Sequence, residues 1–162
     1  MAMRKTIPAA ILLLVVNIAL AQAALAGDYL PFHGSDVGTF DVPGTCGDGS
    51  LQVVIAGSGS ATHLGRYSYQ ANECFNPVTG AFSGVPTITA ANGDQLFGTY
   101  TGQVSPTTTA NVVSYNEQLE ISGGTGRFSG ASGVFEVSGR ADLATLEYSQ
   151  SLAGVISNLG RS

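Results

Sequence analysis

The chain of 162 residues has no tryptophan, two cysteines, and charge on only 10% of its residues. Lysine occurs once, at Lys5, which leaves Arg66, Arg127, Arg140 and Arg161 as the cations of everything that follows the first few residues. Four scattered arginines make no basic stripe, so a phosphate backbone has nothing to dock on, and nucleic acid is excluded as a partner. Anionic membrane surfaces are disfavoured for the same reason. Two cysteines without neighbouring histidines do not form a zinc ligand set. Asp36, Asp41 and Asp48 lack the spacing of a calcium loop and read as solvated turn formers, so no metal and no cofactor is expected. The serine-rich "GSGSA" at 57–61 has no helix after it, which excludes a nucleophile elbow. Beyond residue 26 no stretch repeats with a helical period.

What is present begins with an export leader. Arg4 and Lys5 precede the apolar run "AAILLLVV" at 9–16, and the small-residue stretch "AQAALAG" closes the segment. A basic start, an apolar middle and an A-x-A end describe a secretory signal peptide. Ala24-Leu25-Ala26 gives a leader over 1–26 with Gly27 as the new terminus, and Ala21-Gln22-Ala23 offers a second site. The apolar run, interrupted by Asn17, is shorter than the roughly 20 residues that span a bilayer. The expectation is a protein secreted to the periplasm or the extracellular medium, without a membrane anchor after cleavage. Four arginines against eleven acidic residues then leave a net charge of −7. In an oxidising compartment Cys46 and Cys74 are expected to pair, a closure that stabilises by about 3 kcal/mol on the chain-entropy model.

The remaining residues alternate in short β-branched and aromatic runs, broken by Gly, Asn, Asp and Pro. Strands are expected over 38–42, 50–57, 64–71, 81–90, 95–104, 111–122, 133–142 and 148–157, with 27–38 as a flexible N-terminal segment and 39–162 as the folded domain. Asn92-Gly93 marks a tight hairpin of the type I′ class. Glycines inside the strands, at Gly57, Gly98, Gly102 and Gly139, permit the sharp coiling a small barrel needs. The fold class expected is all-β, an eight-stranded antiparallel β-barrel.

The stretch "GGTGRFSGASG" at 123–133 poses a choice between a phosphate loop, a linker and a corner. A phosphate loop needs a helix after its glycines, and here "GVFEVSGRAD" reads as another strand. A linker would not carry Phe128. The stretch is therefore a structural corner, with Phe128 turned into the core and Arg127 toward water or an acid. The extended segment "GGTGRFSGASGVFEVSG" resembles the glycine-rich segment shared by allene oxide cyclases and dirigent proteins. The flanking "ANGDQLFGTYTG" and "ATHLGRYSY" resemble small secreted bacterial proteins of similar build. The resemblance covers 39–157. It implies an eight-stranded antiparallel barrel in which this segment joins two late strands. No catalytic residue of those enzymes maps onto a position here.

Candidate chemistry sits on two strands. Val113, Tyr115, Glu117, Leu119 and Ile121 share one face of the sixth strand by the period of two, which puts Glu117 among apolar residues. A carboxyl there has a raised pKa and can act as a general acid or base. A bulge that turns Glu117 outward, or a pairing with Arg66 or Arg140, is the structural alternative. On the third strand His63, Tyr67 and Tyr69 share a face if the strand starts early. His63, Tyr67, Tyr69, Tyr115 and Glu117 together would line a pocket for a small apolar ligand. The functional expectation is a small-ligand-binding or structural module. An isomerase or cyclase using Glu117 is the alternative, and a homo-oligomeric assembly is a third reading.

Overall fold

A computed structural model describes residues 29–157. The leader expected over 1–26 lies outside the described residues. Eight strands follow one another: β1 (Leu30–Thr45), β2 (Leu51–Ala61), β3 (Gly65–Phe75), β4 (Ala81–Ala90), β5 (Gln95–Pro106), β6 (Val112–Gly124), β7 (Ser132–Asp142) and β8 (Glu147–Ser157). Each pairs antiparallel with its neighbours in sequence, and β8 returns to β1, so the sheet closes into a barrel. Closure leaves no free sheet edge.

The alternation of exposure along each strand is what turns sequence into an inside and an outside. On β3, Tyr67, Tyr69 and Ala71 are buried while Ser68, Gln70 and Asn72 are exposed. On β7, Phe135 and Val137 alternate with exposed Glu136 and Ser138. A pleated strand with one apolar face has little choice of register, because a slip of one residue would carry that face into water.

Two strands depart from the expected bounds in ways that matter. β1 begins at Leu30, so residues 30–38 are not a flexible segment but part of the barrel wall. His33, within them, pairs with Ala153 of β8. β3 begins at Gly65 and continues to Phe75, four residues past its expected end. The hairpin at Asn92-Gly93 forms, but Gly93 alone of the pair takes positive φ (90°), and Asn92 Oδ1 accepts from the Asp94 amide at 3.2 Å. The turn is therefore an Asx-stabilised loop rather than type I′.

The barrel has two unlike ends. At one end Phe32 stacks on Phe135, ring centroids 4.2 Å apart, and Leu96, Ile121 and Ile156 fill the space around them. The segment between β6 and β7 plugs this end. Its glycines hold a single 3-10 turn, Gly126–Phe128, and Phe128 is 1% exposed. Arg127 lies over the Phe128 ring, 4.6 Å from its centroid. It donates to the Leu64 carbonyl at 3.1 Å and faces Asp94 at 3.8 Å. The corner is thus built from a buried aromatic and an arginine that ties it to two other loops. At the other end the disulfide Cys46–Cys74 joins the β1–β2 turn to the end of β3.

Candidate functional site

Between the filled end and the open end runs a belt of aromatic and acidic side chains. Four of the rings lie against strand glycines: Tyr100 against Gly84, Phe82 against Gly102 and Tyr115 against Gly139, each on the adjacent strand, and Tyr148 of β8 across Gly38 of β1 and against Gly57 of β2 beyond it. A Cβ at any of those glycines would collide with the ring. The strand glycines therefore do more than ease coiling. They clear the inner wall so that large rings can lie flat across it.

Three carboxyls reach this belt from three strands: Asp36 of β1, Glu73 of β3 and Glu117 of β6. Asp36, expected to be a solvated turn former, is instead 3% exposed. Its Oδ2 accepts from Tyr67 at 2.7 Å and from Gln150 at 3.1 Å. Tyr115 in turn donates to Gln150 Oε1 at 2.9 Å. Burial raises the Asp36 pKa, and these donors offset part of the rise. Tyr100 donates to Glu73 Oε2 at 3.0 Å. Even so, burial pushes Glu73 up to about 7.

Glu117 is the exception among the three, because nothing donates to it. It is 6% exposed, it sits across from Gly102 and Val137, and its Oε1 has no hydrogen-bond partner. Burial first, then the charges of Glu73 and Asp36, push its pKa up to about 8. The register shift on β6 falls beyond it, between the Phe97 and Gly98 pairings. Glu117 therefore keeps the inward face that the period of two gave it. Arg66 and Arg140, its expected alternative partners, are both exposed on the outside. The Tyr148 hydroxyl and Asp36 Oδ1 are each buried just short of hydrogen-bond geometry, close enough to one another for Asp36 to raise the Tyr148 pKa, after burial itself.

A cavity of about 310 Å³ opens above these groups. Its inner part is formed by Tyr69, Glu73, Tyr115, Glu117, Tyr148 and Gln150. Its outer wall is aliphatic and aromatic, with Phe40, Leu51, Val53, Phe75, Val104 and Val113 among the lining residues. Val42 and Leu143, 43% and 52% exposed, stand at its rim. The volume is at the lower end of the range of small-molecule pockets.

Of the five residues named from the sequence, Tyr69, Tyr115 and Glu117 come together on this cavity. Tyr67 does not line it. Its hydroxyl is spent on Asp36, one layer nearer the filled end. His63 is far from the role expected of it. It sits in the β2–β3 turn with φ of 62°, exposed, its Nε2 at 3.1 Å from the Pro31 carbonyl oxygen. The turn breaks the alternation that would have placed it with Tyr67. Sequence reading missed Glu73, Tyr148, Gln150 and Asp36. Glu73 had a signal: Tyr67, Tyr69, Ala71, Glu73 and Phe75 share one parity once β3 is allowed to run on. Among the described residues no group of His, Cys, Asp and Glu is arranged to hold a metal ion. Compared with known proteins, the chain matches no protein-family model, and no curated protein matches it.

Proposed function

We propose that this is an exported binding protein that takes a small, mostly apolar molecule into the open half of its barrel. The observation that carries the reading is the cavity itself: an aliphatic and aromatic wall shared with a buried carboxyl, Glu117, to which nothing donates. An apolar body is rewarded by the wall at roughly 25 cal/mol per Å² removed from water. A polar group at its inner end would give Glu117 the partner the protein withholds. The leader-like sequence at 1–26 and the Cys46–Cys74 bond both suit an oxidising compartment. The position of the glycine-rich corner, joining β6 to β7 of a closed eight-stranded barrel, supports kinship with the allene oxide cyclase and dirigent barrels as part of this proposal.

The test is to fill the cavity. Ala141 lines it, so Ala141→Phe places a ring in the space a ligand would use. Nile red fluorescence should rise on the wild-type protein and stay near background on the variant, a loss of at least about tenfold in affinity. Equal binding by both proteins would remove this reading. A second reading, an isomerase or cyclase, is favoured by Glu117 alone, whose carboxyl near 8 suits proton transfer close to neutral pH. Native mass spectrometry of protein from its own host separates the two, since an enzyme would convert the molecule it is given and a binding protein would return it intact.

A further inference from the structure

Among the described residues the interior of the barrel carries three carboxyls and no counter-charge. Among the described residues every basic side chain, His33, His63, Arg66, Arg127 and Arg140, is exposed on the outside. Buried acids without a cation are costly, and proteins normally meet the cost with a paired arginine or lysine, or by holding the proton. Two of the three, Glu73 and Glu117, line one cavity. One of these, Glu117, is more than nine-tenths buried with an oxygen left unpartnered. Around it stand Tyr69, Tyr115 and Tyr148. Carboxylates within a ring of aromatic side chains are the chemistry that receives an ammonium group, through charge and through the ring quadrupoles.

We infer that the molecule bound in the open half is an apolar amine, its ammonium seated at Glu117 and Glu73 among Tyr69, Tyr115 and Tyr148, with its apolar part along the wall at Phe40, Val53 and Val104. This rests on the reading of that half as an apolar-ligand pocket and names the class of ligand. An apolar carboxylic acid is disfavoured, because its carboxylate would face two more. A neutral alcohol or ketone could pair with one carboxyl but would leave the second without a counter-charge.

The two neutral and cationic cases respond to pH in opposite ways. The groups whose charges reach Glu117 are Asp36 from β1, Tyr69 and Glu73 from β3, Tyr100 from β5 and Tyr115 from β6, while Tyr148 and Gln150 of β8 line the same cavity. Burial pushes the tyrosines upward, so they stay neutral, and Glu73 and Glu117 titrate near neutrality. An ammonium wants the carboxylate form and binds more tightly as pH rises through 7 to 8. A hydrogen-bond acceptor such as a ketone wants the acid form and binds more tightly as pH falls. An alkylamine, like lysine, keeps its proton to about pH 10.

Isothermal titration with octylamine, octanol and octanoate, each at about pH 6 and about pH 9, decides the matter. At the higher pH octylamine should bind at least about tenfold more tightly than octanol, the increment of one hydrogen bond to a charged group. The preference should shrink at the lower pH, and octanoate should be the weakest of the three at the higher. Glu117→Gln should erase the preference of amine over alcohol, and Glu73→Gln should reduce it. Octanol or octanoate binding as tightly as octylamine at the higher pH overturns the inference while leaving the apolar pocket standing, as does an amine affinity that falls with rising pH. Failure of all three compounds to bind removes the pocket reading along with it. The wild-type pH series decides even if a variant does not fold.

Discussion

Glu117 holds its proton at a cost that depends on pH, and the cost can be measured without any ligand. In the unfolded chain its carboxyl titrates near 4.5, and in the barrel near 8; Glu73 moves from 4.5 to about 7. Below the lower value both states are protonated and folding is unaffected. Between the two values the folded protein binds more protons than the unfolded chain, so stability falls as pH rises, by at most about 1.4 kcal/mol per pH unit for each carboxyl. The empty protein should therefore melt at its highest temperature near pH 4 to 5 and lose stability toward pH 8. Glu117→Gln removes one of the two titrations. It should raise the melting temperature near pH 8, by about 3–6 °C for each kcal/mol recovered, and change it little in acid. Thermal melts of both proteins across this range check the sign. A wild-type melting temperature that is level from acid to pH 8 would mean that water reaches these carboxyls freely.

At the scale of the strands, what positions the site is the pairing of a ring on one strand with a glycine on the next. Gly139 on β7 leaves room for Tyr115 of the adjacent β6, whose hydroxyl is then carried to Gln150. Gly139→Val should tilt that ring, break the hydrogen bond and cost about 1–3 kcal/mol in denaturant unfolding. Gly47→Ala, where an added Cβ meets nothing within 4 Å, should stay within about 0.5 kcal/mol of the wild type. Equal effects would show that the glycines are there for coiling alone. Much of this layer was legible in the sequence. The alternation that gives 81–90 as a strand matches β4, Ala81–Ala90, at both ends, and Glu117 was visible as a polar residue on an apolar face. What escaped was whatever depends on a distant partner. "LPFHGSD" falls in the stretch expected to be a flexible N-terminal segment, and it becomes strand because β8, more than a hundred residues on, and β2 supply its ladders. Asp36 was lost with it. Glu73 was lost because the third strand was expected to end at Ala71, before the polar pair Asn72-Glu73. His63 was misplaced because a residue at positive φ is invisible to a period of two.

For the molecule as a whole, the closed end and the open end are held by different forces. Phe32, Leu96, Phe128, Phe135 and Ile156 are each 1% exposed or less, and this end is a packed core. The open end has given up that packing to keep its cavity. Phe40, Leu51, Phe75, Val104 and Val113 are only half-buried there. A barrel wall without side chains behind it is held by its ladder alone, and β1 breaks register in that region, between Asp41 and Gly44. The Cys46–Cys74 bond lies at this weak end and spans the two strands that flank β2. It closes a loop with a sequence separation of 28, for which chain entropy predicts a contribution of about 3 kcal/mol. If the bond compensates for the missing core, reduction should act locally before it acts globally. Hydrogen–deuterium exchange under a mild reductant should speed up first in residues 40–54 and 72–82, while 119–121, 133–137 and 152–156 keep their protection. The apolar pocket should lose its ligand over the same range of reductant, since its walls are those segments. Uniform acceleration around the whole barrel would mean instead that the two ends unfold as one unit and that the disulfide supports the fold without any special relation to the mouth.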